Sequence, residues 1–141
     1  MNVAVFGATG GTGKQVVEQA LAAGHHVTAL VRDPAKLAIN NQSLMIKRGD
    51  VLDPEQVFNT VSGADAVIVS LGNTANNPDG VVAKGTANVV DAMQKAGVAR
   101  LIVVSALGVG ESKGQVPLAF KAIVATVLRK AMQDKEAQEK L

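Results

Sequence analysis

Apolar and polar positions along the chain follow an alternation that is typical of an α/β protein. Five short apolar runs have the length and composition of β-strands, at residues 2–6, 27–31, 44–47, 66–70 and 101–105. The segments between them place apolar residues at helical spacing and predict helices at 12–23, 54–61 and 80–96, with a last, long helix at 117–140. We expect the polar face of that last helix to lie in solvent, with the residues Lys130, Lys135, Glu136, Glu139 and Lys140. The run at 66–70 is nearly all apolar, which is typical of a strand buried on both faces.

Local signals mark the ends of several elements. Gly24 and Gly97 follow the first and third predicted helices, where glycine is the usual terminator. Asp53-Pro54 has the order of an N-cap and a first helical residue. Pro34 begins a predicted single helical turn at 34–37.

Five strands joined by crossover helices predict a parallel sheet with helices on both faces. Right-handed crossovers give the Rossmann-type strand order 3-2-1-4-5. The length of 141 residues suits one domain over 1–141 with a sizeable core. In the six-stranded form of this fold, a helix ending at Leu141 is followed by a further strand. We therefore expect a C-terminally truncated domain or, alternatively, a fold that closes with five strands.

The first strand leads into a glycine-rich turn at 7–13, with the sequence GATGGTG. Gly7, Gly10 and Gly13 recur at every third position, and the turn opens the first helix. A strand, a tight turn and a helix N-terminus in this order bind a pyrophosphate. We expect Gly7 to adopt the positive φ of the turn, Gly10 to let phosphates approach the backbone, and Gly13 to let helix and strand pack closely.

The spacing of these glycines separates two kinds of phosphate loop. A P-loop needs GxxxxGK followed by Ser or Thr, but this chain has Ala8 in place of the first glycine and Gln15 in place of the hydroxyl. ATP or GTP hydrolysis is therefore disfavoured. The strict dehydrogenase pattern GxGxxG also fails, because Ala8 and Thr9 separate Gly7 from Gly10. The wider spacing resembles that of the short-chain and extended dehydrogenases/reductases.

Two residues after the second strand give opposite indications of the nucleotide. Arg32 offers a planar donor fork that suits the 2′-phosphate of NADP. Asp33 could instead accept the ribose hydroxyls, which would favour NAD. A third alternative is a solvated ion pair between the two side chains, which selects neither nucleotide.

Further candidates follow the other strands, at the edge of the sheet where open α/β folds bind ligands. Asp50 and Val51 are placed to contact the adenine edge, although Asp50 also suits a loop cap. Gly72, after Leu71, would let the backbone approach the cofactor ribose. Ser105 is the candidate catalytic residue, placed to bond the nicotinamide amide or the substrate, and a bond to the backbone is its structural alternative.

Composition narrows the classes of partner. The net charge of +2 is too small to indicate nucleic acid, and the absence of Trp and Tyr leaves no aromatic platform for stacking bases. No segment approaches the ~20 apolar residues of a membrane span, and without Cys there are no disulfides. Neither the His nor the acidic residues show metal-ligand spacing. We expect a cytoplasmic monomer or homodimer with a small-molecule substrate and no metal, nucleic-acid or membrane partner.

An ordered set of segments carries a family resemblance over most of the chain up to about residue 107. The segments are GATGGTG at 7–13, VTALVRDP at 27–34, GDVLD at 49–53, GADAVIVSLG at 63–72 and NVVDAMQKAGVARLIVVSALG at 88–108. Together they resemble the atypical short-chain dehydrogenases/reductases with an NmrA-like, NAD(P)-binding domain, in the branch of the biliverdin and flavin reductases. The glycine motif alone is shared by many activities, whereas the ordered set is more specific.

The resemblance implies a role for each candidate residue. The pyrophosphate would be held by the backbone and hydroxyls of the glycine loop, namely Gly7, Thr9, Gly10, Gly11, Thr12 and Gly13. Arg32 would bind the 2′-phosphate, and Asp50 and Val51 would contact adenine. Leu71-Gly72 would lie along the ribose, and Ser105 near the nicotinamide.

The chain departs from most short-chain dehydrogenases in one respect. They use a Tyr-x-x-x-Lys pair as proton donor, and this chain has no Tyr. The resemblance then implies a reductase that uses NADP, with NAD as the alternative, and passes hydride to a flavin, bilin or similar conjugated acceptor while solvent supplies the proton. Two alternatives stay open: a non-catalytic NAD(P)-binding redox sensor or regulator, and a sugar-nucleotide epimerase or dehydratase, which the missing Tyr disfavours.

Overall fold

In the computed structural model, the chain forms a five-stranded parallel sheet with helices on both faces. The structure describes residues 1–74, 77, 79–106, 109 and 128–141. The elements, in chain order, are β1 (Asn2–Phe6), α1 (Gly11–Ala22), β2 (His26–Val31), a 3₁₀ turn (Pro34–Lys36), β3 (Leu44–Arg48), α2 (Pro54–Val61), β4 (Ala66–Val69), α3 (Val81–Ala96), β5 (Leu101–Val103) and α4 (Arg129–Glu139). The strand order β3-β2-β1-β4-β5, with every neighbouring pair parallel, confirms the predicted Rossmann-type α/β sheet.

Alternation along the central strand β1 divides the core into two layers. Ala4 and Phe6 are buried in the layer that contains residues of α2 and α3. Val3 and Val5 point the other way, into the layer that contains Val17 of α1. Because β1 is covered on both faces, its carboxyl end is held rigidly between helices, and this is where the glycine-rich turn begins.

The local start and stop signals act as expected. Asp53 caps α2, because its carboxylate accepts hydrogen bonds from Glu55 N at 3.0 Å and Gln56 N at 3.2 Å, and Pro54 is the first helical residue. Gly97 ends α3 with a left-handed φ of 70°. The predicted strands at 66–70 and 101–105 end sooner, at Val69 and Val103, which is the usual fraying of element ends.

The C-terminal helix differs from the predicted single helix at 117–140. Leu128 has non-helical backbone angles and is the N-cap of α4, which begins at Arg129. The predicted helix is therefore wrong at Leu128, and its part at 117–127 lies outside the described residues. No helix in the described part of the chain has the length and apolarity to span a bilayer.

Polar contacts join α4 to α3. The buried carboxylate of Asp134 accepts hydrogen bonds from Val82 N at 2.9 Å and Ala83 N at 2.8 Å. These amides belong to the first turn of α3, whose own N-cap is a glycine without a capping side chain. One turn further along α4, Gln138 Nε2 donates to the buried Thr86 hydroxyl at 2.8 Å. Asp134 therefore serves α3 as an N-cap supplied from a distant part of the sequence.

We predict that Asp134→Ala lowers the free energy of unfolding by about 2–4 kcal/mol, because the buried Val82 amide and the partly buried Ala83 amide lose a charged acceptor. Asp91→Ala is the matched control, since it removes an exposed carboxylate that pairs with Lys95 on the same helix and should cost less than about 1 kcal/mol. Urea unfolding followed by circular dichroism measures both. Equal losses in the two variants would contradict the capping role.

Candidate functional site

The glycine-rich turn is built on two close backbone approaches. Gly7 has a φ of 83°, and a Cβ there would lie 2.5 Å from the carbonyl oxygen of Ser70. A Cβ at Gly13 would overlap the carbonyl group of Gly7. The first and third glycines thus have the expected structural roles, a sharp turn and close packing of helix on strand. Gly10 and Gly11 have no such crowding.

Ser70, at the end of β4, supports this turn from the neighbouring strand. Its hydroxyl is 3.3 Å from both the Phe6 and Gly7 carbonyl oxygens, to which it can donate. No separate role was predicted for Ser70. The available signal was a hydroxyl directly after an apolar strand, but only the pairing of β1 with β4 shows what it contacts.

Three helices begin at the carboxyl edge of the sheet, and they differ in how their first amides are satisfied. In α2 the acceptor is Asp53, and in α3 it is Asp134. The first turn of α1 contains no acidic residue, and no side chain caps it within the described part of the chain. Among these three helices, α1 therefore leaves its N-terminal amides and its positive dipole end available to an anion such as a pyrophosphate.

A cavity of about 560 Å³ runs along this edge of the sheet in front of α1. It brings together residues from the ends of all five strands, because parallel strands present their carboxyl ends on one side. The predicted site residues that line it are Gly7, Thr9, Gly10, Gly11, Thr12, Arg32, Asp50, Val51, Leu71, Gly72 and Ser105. Gly13 is the exception, because it is buried against the Gly7 carbonyl.

At one end of the cavity, two basic side chains follow β2. Arg32 and Lys36 are both exposed and both line the cavity. Asp33 is not among the described lining residues, and its carboxylate accepts a hydrogen bond from Ala35 N at 3.1 Å. Lys36 was missed in the sequence analysis, although its position four residues after Arg32, on a predicted turn, was the available signal.

Asp50 both caps its loop and lines the cavity. Its Oδ1 accepts a hydrogen bond from Leu52 N at 2.9 Å, and its own backbone N–H donates to Gln56 Oε1 at 2.8 Å. The loop-cap interpretation therefore holds, and the second carboxylate oxygen is left for other contacts.

Helix α3 packs against Val51 and Leu71, two residues that line the cavity. A Cβ at Gly85 would lie 2.7 Å from Val51 Cγ1 and 3.1 Å from Leu71 Cδ1. Asn88 also donates to the Val51 carbonyl at 3.0 Å. The absence of a side chain at Gly85 thus lets α3 approach the cavity wall, a role that the sequence analysis did not predict.

At the other end of the cavity, Lys135 of α4 joins the residues that follow β4 and β5. Its Nζ donates to the carbonyl oxygens of Leu71 at 2.8 Å and Val104 at 2.7 Å, and to Gln138 Oε1 at 3.1 Å. The sequence pattern predicts Lys135 on a solvated face, which is wrong because the side chain is half-buried in the cavity wall. Burial lowers the pKa of Lys135, and the charges of Asp134 and Glu139 oppose this shift.

Ser105 lies at the same end of the cavity. Its hydroxyl donates to the carboxylate of Glu139 on α4, rather than to the backbone as the structural alternative supposed. Glu139 was predicted only as part of a polar helix face. Its contact joins residues 34 positions apart, so periodicity gives no signal for it.

Comparison with known proteins agrees with this geometry. A family model described as NAD(P)H-binding matches residues 7–141. The chain belongs to the NAD(P)H-binding family. The match includes the whole glycine-rich turn and the ends of β2, β3, β4 and β5, which line the cavity.

Two curated relatives of this NAD(P)H-binding chain are longer proteins. An uncharacterized chloroplastic protein of Arabidopsis thaliana is 40% identical over 124 residues, which are 81% of this chain and 44% of that protein. The photosystem II assembly factor Ycf39 of Synechocystis is 35% identical over 117 residues, which are 79% of this chain and 35% of that protein. The chain thus spans less than half the length of these two relatives.

Solved structures of similar fold are atypical short-chain dehydrogenases and NmrA-like reductases, as the sequence resemblance predicted. ChuY, an anaerobilin reductase from Escherichia coli O157:H7, superposes with a TM-score of 0.79 at 27% identity, covering 99% of this chain and 66% of ChuY. A short-chain dehydrogenase/reductase from Veillonella parvula, solved with NADP, has a TM-score of 0.79 at 19% identity, covering 98% of this chain and 62% of that one. The latter likeness is one of fold.

We predict that Gly13→Ala lowers the free energy of unfolding by more than about 3 kcal/mol, since the new methyl group overlaps the Gly7 carbonyl and α1 must move away from β1. Gly11→Ala is the matched control, because a Cβ there meets nothing within 4 Å; it should be neutral or slightly stabilising. Denaturant unfolding without added nucleotide measures both. A neutral Gly13→Ala would refute the packing role.

Proposed function

We propose that the chain is an NADPH-dependent reductase that passes hydride to a flavin, bilin or similar conjugated acceptor. The observation that carries the cofactor assignment is the pair of cations, Arg32 and Lys36, at the β2 end of the cavity. A guanidinium and an ammonium together match a phosphate, whereas a ribose diol needs an acidic acceptor. Asp33, the candidate acceptor, is engaged by the 3₁₀ turn instead.

The charge of the cavity supports the same choice. The ionisable groups among its described lining residues are Arg32, Lys36, Lys135 and Asp50, three cations against one carboxylate. The uncapped amides of α1 add a positive partial charge between them. A cavity of this polarity suits NADP, which carries one more phosphate than NAD.

The proposal of a reductase depends on which proton donors the chain has for the acceptor. When bound, the reduced nicotinamide supplies a hydride. The chain has no Tyr to act as proton donor, so we infer that its residues bind and orient the reactants and leave protonation to solvent. Such a site suits a conjugated acceptor better than a ketone or a sugar nucleotide. The similarity to ChuY, an anaerobilin reductase, supports this substrate class.

A second candidate function is a non-catalytic NAD(P)-binding regulator. The similarity to the assembly factor Ycf39 favours it. Such a regulator would bind the cofactor through the same contacts, but it would not oxidise NADPH when an acceptor is added.

We predict that Arg32→Ala weakens NADPH binding by about 10- to 100-fold, the worth of a charge-assisted hydrogen bond. NADH binding should change less than threefold, because NADH has no 2′-phosphate. Arg48→Ala is the matched control, since Arg48 is an exposed arginine at the end of β3 that is not among the described lining residues. Calorimetric titration with both nucleotides measures the effect. Equal losses for NADPH and NADH would refute the assignment to the 2′-phosphate.

We also predict that the protein oxidises NADPH when FMN or biliverdin is added, with a kcat/KM for NADPH at least tenfold higher than for NADH. Absorbance at 340 nm follows the reaction, and Arg32→Ala should lower the rate at subsaturating NADPH. Tight NADPH binding without turnover for either acceptor would favour the regulator instead.

A further inference from the structure

The end of β5 and helix α4 meet through two consecutive residues. The Val104 carbonyl accepts from Lys135 Nζ at 2.7 Å, and the Ser105 hydroxyl donates to the Glu139 carboxylate. Lys135 and Glu139 are four residues apart, so they lie on the same face of α4. Ser105 and Lys135 belong to the described residues that line the cavity, and Glu139 does not. Glu139 thus contacts Ser105 without itself being one of the described lining residues.

The direction of the Ser105–Glu139 hydrogen bond determines what Ser105 can offer to a ligand. The Ser105 hydroxyl is the donor in this bond, and a carboxylate has no proton of its own and can only accept. The proton in this bond must therefore come from the serine. A hydroxyl has one proton, so Ser105 Oγ keeps only its lone pairs for a group in the cavity.

We propose that Glu139 is a positioning residue that makes Ser105 a hydrogen-bond acceptor for the carboxamide N–H of the nicotinamide. The proposal rests on the proposed function, because an adenosine half bound at Arg32 and Lys36 directs the nicotinamide half to the opposite end of the cavity, where Ser105 lies. The carboxamide is the part of the nicotinamide that carries N–H donors. As an acceptor, Ser105 does not protonate the substrate.

The test compares three ligands on the same protein. NADPH carries the carboxamide, its reduced 3-acetylpyridine analogue has an acetyl group without N–H donors, and adenosine 2′,5′-bisphosphate lacks the nicotinamide half. We expect the wild-type protein to bind NADPH about fivefold more tightly than the analogue, the worth of one hydrogen bond. Fluorescence or calorimetric titration gives the three dissociation constants without any need for turnover.

Variants of Ser105 and Glu139 then test whether these two residues cause the preference for NADPH over the analogue. Ser105→Ala and Glu139→Ala should both reduce the fivefold ratio to nearly one. Glu139→Gln should keep most of it, because its amide oxygen still accepts the serine proton. Glu136→Gln is the matched control, since this carboxylate of α4 is 3.7 Å from Lys140 and outside the described lining, and it should keep the full ratio. All four variants should bind adenosine 2′,5′-bisphosphate like the wild type.

Three outcomes would overturn the proposal. One is an unchanged ratio in Glu139→Ala. Another is a parallel loss of adenosine 2′,5′-bisphosphate binding in Glu139→Ala, which would mean that Glu139 has a merely structural role. In that case Ser105→Ala, a smaller change, tests whether Ser105 accepts the hydrogen bond from the carboxamide. The third is a wild-type protein that binds NADPH and the analogue equally, which leaves the proposed function intact. Absence of NADPH binding would instead overturn the proposed function itself.

Discussion

The contact between the first helix and the first strand is the constraint on which the rest of the site depends. Because a Cβ at Gly13 would overlap the Gly7 carbonyl, only glycine lets α1 start directly above the end of β1. The left-handed backbone at Gly7 and the hydroxyl of Ser70 hold that start in place. As a result, the first amides of α1 lie in the middle of the carboxyl edge, between the adenosine and nicotinamide ends that we propose for the cavity.

The satisfaction of helix N-termini then decides where along this edge an anion binds. The protein supplies its own carboxylates to α2 and α3, through Asp53 and Asp134. An added anion would have to displace them, at the cost of charge-assisted hydrogen bonds. Among the residues that the structure describes, no carboxylate caps α1 in this way. The C-terminal helix α4 therefore affects the site in two ways. Its Asp134 caps α3, and the next residue, Lys135, forms part of the cavity wall.

Local patterns were sufficient to predict the sheet, its strand order and most of the cavity. The apolar runs alone predict the strands. The turns that follow the strands contain the residues predicted to line the site, from Gly7 to Ser105. What the sequence did not predict depends on contacts between distant elements. The polar residues of α4 have ordinary helical spacing, and only the packing of α4 against α3 shows that Asp134 and Lys135 face inward. The start of α4 after Leu128 likewise has no local signal such as glycine or proline at that residue.

The two ends of the cavity differ in a way that bears on chemistry. At the β2 end, Arg32 and Lys36 are exposed and have donors to offer. At the β5 end, the three protons of the Lys135 ammonium go to two carbonyls and Gln138, and the Ser105 proton goes to Glu139. Neither group can give a proton to a substrate without breaking a contact that holds α4 in place. This arrangement supports the acceptor class that we propose, a flavin or a bilin rather than a simple ketone, because the reduced form of such an acceptor is stabilised by conjugation and protonated from water.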